Sequence, residues 1–265
     1  MLGKTIAALI LCLCCGAARI MAQDMMRYID VNSPEMTTAE MTREQVAALA
    51  ASATHDHPAD FTGKRLSGLD LSGLDLSGAI FRAARLNKTK LTSAKLDGAV
   101  LDQAWLLDAD LDGASLRHAS IFAAQMLRAR LDGADLSGAR IVSDLTGTSL
   151  VGAKLVGANL AADMKNQSMG LIHAVLKSAN LDKADLRNAD LSRAELAFAS
   201  LRQANLSNAI LRNVDLAGAD LSGADVTGAD FAGADLASAR LVAPVGLNAV
   251  RNFDQALNRD RLLTQ

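Results

Sequence analysis

The sequence predicts an all-β solenoid, and three observations predict it. An apolar residue returns every five positions, a small Ala precedes it by two, and Gly or another turn-tolerant residue follows it by two. The central apolar residues fall at Phe61, Leu66, Leu71, Leu76, Phe81 and Leu86 and continue unbroken to Ile141. They resume at Leu145, Leu150, Leu155 and Leu160, then from Leu171 to Leu241.

Neither regular element buries a set spaced by five. An α-helix turns about 100° per residue, so residues five apart lie roughly 140° apart and make no stripe. A flat strand alternates faces, so an odd spacing puts successive Leu on opposite sides. A chain that turns a corner every five residues solves the problem, because each unit becomes one short extended side and every Leu points into a shared interior. Gly68, Gly98 and Gly133 mark corners where unusual φ/ψ is needed. Asp or Asn just before the Leu is placed to hydrogen-bond nearby backbone.

The stretches Ala109-Asp110-Leu111, Ala134-Asp135-Leu136, Ala158-Asn159-Leu160, Ala184-Asp185-Leu186, Ala189-Asp190-Leu191 and Ala219-Asp220-Leu221 resemble the consensus of the pentapeptide-repeat family, A-(D/N)-L-x-x. The resemblance covers residues 59–243, about 70% of the chain. It implies a right-handed quadrilateral parallel β-helix with four units per coil. About 180 residues then make roughly nine coils, stacked at the parallel-strand spacing into a rod about 40 Å long.

The remaining segments follow in order. Residues 1–22 read as a secretory signal peptide: Lys4 charges the start, Ile6 to Cys15 is apolar but too short for a confident span, and Ile20-Met21-Ala22 offers a cleavage site before Gln23. Residues 23–58 form an N-terminal helical cap and linker. Ser33-Pro34-Glu35 reads as one helix start, and a second helix runs from Thr38 to about Ala53, with Met41, Val46 and Leu49 toward the first coil. Residues 59–243 are the β-helix. Its beat shortens to four between Ile141 and Leu145 and lengthens to eleven between Leu160 and Leu171, so residues 161–170 form an irregular insert on one side of the rod. Pro244 stops the beat, and residues 244–265 form a C-terminal helical cap. Its helix runs from Asn252 to Leu263, with Phe253, Leu257 and Leu262 facing the last coil.

Composition bounds the function. All three Cys lie within residues 1–22, so the mature chain has no thiol and no disulfide, which excludes cysteine catalysis and suits an oxidising compartment. Removing Lys4 and Arg19 leaves 25 basic against 29 acidic residues, a net charge of −4. No basic surplus points to nucleic acid or an anionic membrane. There is no nucleophile elbow, phosphate-binding glycine loop or zinc signature, so the reading is non-enzymatic, with no cofactor and no metal. The exported chain is expected in the periplasm or outside a bacterial cell, without stable membrane insertion after cleavage, and is expected to bind a protein partner that the sequence does not identify.

Candidate partner residues come from two places. Residues twenty apart stack on one face, which aligns Glu195, Asp215 and Asp235 in an acidic column. Trp105 occupies an outward slot, as do Phe122 and Phe198, and exposed aromatics anchor partners. The insert adds Lys165, Asn166, Gln167 and Met169, because irregularities in repeat proteins are where function is grafted. Two alternatives stay open. Family members similar to quinolone-resistance factors are thought to mimic DNA and occupy type II topoisomerases, a reading that requires a cytoplasmic chain. An exported carbohydrate- or metal-binding protein would use Asp190, Arg193 and Arg212, or His55-Asp56-His57, or Met25, Met26, Met36, Met41, Met164, Met169 and His173 as soft ligands. A basic cluster of Arg82, Arg85, Lys88, Lys90 and Lys95 on early coils offers a second charged patch.

Overall fold

A five-residue side is too short for a strand ladder of its own, so each side pairs with the next coil essentially one residue at a time. The computed structural model describes residues 30–165 and 172–265. In the regular coils, the residue before each Leu bridges in parallel to the residue twenty positions on: Arg65 to Arg85, Arg85 to Trp105, Trp105 to Gln125. The Leu66 amide donates to Arg85 O at 2.7 Å, and the Arg85 amide donates back to Lys64 O at 2.8 Å. Four such ladders, starting at Asp60, Arg65, Asp70 and Asp75, make a four-sided solenoid.

The interior is the apolar set that the beat picks out. Leu66, Leu111, Leu186 and Leu206 are fully buried, with Ala94, Ala109 and Ala184 between them. Each such Leu contributes roughly 2 kcal/mol through the surface it removes from water. Phe61 and Phe81 stack at 4.9 Å near the top of this core. Corners take left-handed backbone at the residue two after the Leu, whether Gly68 or Lys88, Arg128 and Phe198. Some glycine corners have a further reason. A Cβ on Gly138 would meet the His118 ring at 2.5 Å, and one on Gly218 would meet the Phe198 ring at 2.6 Å. A side chain at one corner thus lies over the next, which must stay bare.

At the top, α1 (Pro34–Thr37) and α2 (Arg43–Ala51) cover the first coil. The second helix starts at Arg43, later than the expected Thr38. Thr38 is extended instead, the Glu40 amide donates to Arg65 O at 2.9 Å, and Thr42 and Gln45 form a capping box. Its inward stripe is Val46, Ala50 and Ala53 with Met41 beside it, while Leu49 is 38% exposed.

Strand β1 (Ser120–Gln125) and strand β2 (Arg140–Asp144) mark the shortened side. The missing residue is replaced by the buried Ser143 hydroxyl, which donates to Ile121 O and accepts from the Ala124 amide. On the same side of the next coil the chain leaves the rod. Asn159 and Val175 stand on successive ladders of that coil, and between them Asp163 and Ile172 pair antiparallel as the stem of an excursion.

The C-terminal segment differs from the expected helix. Three 3₁₀ turns, Leu247–Ala249, Phe253–Gln255 and Arg259–Arg261, alternate with bridges at Val245, Arg251, Leu257 and Leu263. Left-handed Gly246, Asn252 and Asn258 interrupt any α-helix there. Phe253 and Leu262 pack on the core as expected, but Leu257 points outward and is 55% exposed. Among the described residues no helix is long and apolar enough to cross a membrane.

Candidate partner-binding surface

One ladder gathers four of the five candidate residues that the structure describes. It runs Arg65, Arg85, Trp105, Gln125, then Asp144, Val175, Glu195, Asp215, Asp235 and Leu257. Trp105 and the three carboxylates therefore share a single side of the rod, basic and aromatic toward the N-terminus and acidic toward the C-terminus.

The N-terminal part of this side is partly covered. Asn87 donates to Met36 O at 3.1 Å and accepts from the Leu107 amide at 3.0 Å, so the segment around α1 seals Leu107 from solvent. The C-terminal part is open. Ala197, Ala217 and Ala237 give it a low floor, and Phe198 stands at its edge, 72% exposed.

The excursion is clamped beside this ladder at both ends of its stem. Arg140 binds Asp163 at 3.1 Å and stacks over the Phe122 ring at 4.3 Å. His173 lies 3.0 Å from Glu195, and Lys177 reaches the second Glu195 oxygen at 2.5 Å. Burial opposes ionisation of Glu195, but Lys177 and His173 outweigh it and hold its carboxyl below the usual range. Lys165 is exposed, and its amide donates to Asp163. Asn166, Gln167 and Met169 lie outside the described residues, as do residues 1–22.

The carboxylates at repeat positions do two different jobs. Each corner leaves the amide after the Leu outside the ladder, and a buried or half-buried amide needs an acceptor. Asp215 and Asp235 accept from Ala217 and Ala237 within their own repeat, both at 2.9 Å. Where Ser stands before the Leu, the acceptor instead comes from the preceding coil. Asp97 accepts from the Arg117 amide and Ser115, Asp102 from Phe122 and Ser120, Asp132 from Val151 and Ser149, and Asp182 from Arg202 and Ser200. The sequence carries that signal as an Asp seventeen or eighteen residues before a Ser.

Other sequence candidates are not brought together. Asp190 bonds Ser192, while Arg212 pairs with the buried Asp230. Lys95 pairs with Asp75, and Lys90 stands on a different ladder from Arg85. His55, Asp56 and His57 are all exposed, and among the described residues no three His, Cys, Asp or Glu lie close enough to hold a metal ion. Met36 is buried, whereas Met164 is 52% exposed. Met25 and Met26 lie outside the described residues.

A family model for pentapeptide repeats matches residues 59–98, 94–126, 106–138, 171–208 and 209–242. No curated protein matches. Among solved structures, the chain is similar to HetL, a pentapeptide repeat protein involved in heterocyst differentiation regulation in Nostoc sp. strain PCC 7120. Identity is 31% over 82% of this chain and 94% of that one, with a TM-score of 0.34. QnrB1, a plasmid-mediated fluoroquinolone resistance protein, matches at 16% identity over 73% of this chain and 89% of its own, with a TM-score of 0.37. Rfr23 from the cyanobacterium Cyanothece 51142 matches at 26% over 46% of this chain and 91% of its own, with a TM-score of 0.27.

Proposed function

This chain belongs to the pentapeptide-repeat family, and from that premise we propose that it is an exported, non-enzymatic scaffold that binds a protein partner along the Arg65 ladder. The observation that carries the proposal is convergence. The acidic residues Glu195, Asp215 and Asp235, the exposed Phe198 and the clamped stem of the excursion all meet on one open stretch of that side. Asp215 and Asp235 each satisfy backbone through one carboxylate oxygen, which leaves the other for a cationic partner group. The low alanine floor lets a partner approach closely, and Phe198 supplies an apolar anchor. Residues 1–22, with their charged start, short apolar run and Ala22 site, support export.

Two measurements test this. Cell fractionation with intact mass is expected to find a chain beginning at Gln23 outside the cytoplasm. Capture from a periplasmic extract is expected to recover a partner with the native chain and to lose it with Asp215→Asn and Asp235→Asn together. The acidic ladder also favours a second reading, a DNA mimic acting on a type II topoisomerase. It requires a full-length cytoplasmic chain, and a supercoiling assay that responds to the purified protein would select it over the scaffold.

A further inference from the structure

We infer that the groove between α2 and the Asp75 side of the first coils binds an extended peptide, which pairs with the backbone edge at Asp75 and alternates apolar with basic side chains. The groove lies away from the ladder of Trp105 and Glu195, and the inference does not rest on the partner surface there.

The upper edge of the first coil is a row of backbone donors and acceptors. In the coil below, the Lys95 amide donates upward to Leu74 O, and Lys95 O and Asp97 O accept from the Leu76 and Gly78 amides. The matching groups of the first coil are treated unequally. On the Arg65 side, the Glu40 amide donates to Arg65 O and the Glu40 carboxylate accepts from the Arg65 amide. On the Asp70 side, the Arg43 guanidinium donates to Asp70 O and, at 2.8 Å, to Ser72 O. On the Asp75 side, the Asp75 amide, Asp75 O and Ser77 O have no partner among the described residues.

That edge borders a groove of about 1040 Å³. Its helix wall is alanine, at Ala47, Ala50, Ala51 and Ala53, so α2 leaves room beside the strand edge. Its floor is Leu74, which takes the inward place that Ala94, Ala114 and Ala134 hold in the coils below and is only half-buried. The far wall is Ile80 and Val100, flanked by the bare corners Gly78 and Gly98, where a Cβ would meet nothing within 4 Å. An unpaired edge beside an apolar channel suits an added strand: main-chain bonds hold the strand, and alternate side chains enter the channel.

Charge selects among such peptides. Beside the groove, Asp75 and Asp97 are already paired with Lys95 and Arg117. Asp56 and Asp60, at the Pro58 end, are exposed and have no ion pair among the described residues. A strand with basic residues on its outward face meets these two carboxylates, and an acidic strand is repelled.

The probe is a fluorescein-labelled peptide of alternating Lys and Val, with an analogue N-methylated throughout its backbone, titrated into the full chain by fluorescence anisotropy. The analogue keeps the side chains but cannot pair, and it is expected to bind at least about tenfold more weakly. Hydrogen exchange of the Asp75 amide is expected to slow about tenfold or more when the peptide is bound. Ala51→Trp fills the channel from an exposed position, and Val100→Lys charges its far wall; each is expected to weaken binding about tenfold. Melting checks both folds, and if one variant unfolds the other carries the test. No binding, equal affinity for the analogue, an Asp75 amide that the peptide does not slow, or binding that the folded groove variants leave intact overturns the inference. So does binding that Asp215→Asn with Asp235→Asn abolishes, which would place the peptide on the acidic ladder. Binding seen only after residues 1–29 are removed would give the groove to the chain's own N-terminal segment, and the inference also fails.

Discussion

The stretches 97–132 and 215–235 contain similar numbers of carboxylates and use them differently. In the first, Asp97, Asp112 and Asp132 follow the Leu and accept backbone amides from the next coil, and Arg117 and Arg130 reach back to Asp97 and Asp112. In the second, Asp215, Asp220, Asp225 and Asp235 precede the Leu and accept amides within their own repeats. Asp230 accepts the Ala232 amide in the same way, but it is also buried and bound by Arg212 and Asn252. Moving an Asp by two residues thus decides whether it accepts the corner amide of the next coil or that of its own repeat. Composition alone hides this distinction.

Leu186→Asp is the largest perturbation and treats both stretches alike, because it places a charge in the shared core. Its cost is expected to exceed about 4 kcal/mol and to abolish cooperative melting. A melt like that of the native chain would show that the inward assignment is wrong.

The comparison itself is tested by single acids. Asp132→Ala orphans the Val151 amide and the Ser149 hydroxyl across a coil boundary, and about 2 kcal/mol is expected from denaturant unfolding. Asp215→Ala orphans one amide on an open side, and about 1 kcal/mol is expected. Equal costs would erase the difference between joining and presenting acids.

Acid sharpens it further. The Arg117 side chain holds the Asp97 carboxyl below its usual range, and the Thr227 side chain does the same for Asp225. A carboxyl depressed in the folded state contributes stability above its ordinary range, and that contribution is lost as pH falls toward the depressed value. Melting temperature is therefore expected to fall below about pH 4. Replacing Asp97 by Asn is expected to flatten that fall, since Asn keeps an acceptor and loses the titration.

The smallest effect on stability is expected from Asp215→Asn with Asp235→Asn, within about 0.5 kcal/mol, because Asn retains the oxygen that accepts the corner amide. Partner capture should nonetheless fail. Capture that survives the pair would move the binding surface elsewhere.

The corners, the core and the acidic column were legible because they depend on residues five or twenty apart. The excursion's clamps were not. Arg140 meets Asp163 and His173 meets Glu195 only because this side is a residue short in one coil and carries extra chain in the next, so no fixed spacing links them. The C-terminal helix misread the run from Asn252 to Leu263. Its apolar residues fit a helical face, yet Asn252 and Asn258 take left-handed backbone six apart and keep the chain on the rod.

By itself the five-residue repeat determined a solenoid with a Leu and Ala interior, because a chain that turns every five residues buries that set together. Four sides per coil, and so the side on which each outward residue stands, followed from the resemblance to pentapeptide repeats. Tertiary structure alone decided which acids are consumed between coils, how the interrupted side is held and how the last coil closes. Those outcomes rest on contacts between coils, whose partners are set by the stacking of sides rather than by neighbours along the chain.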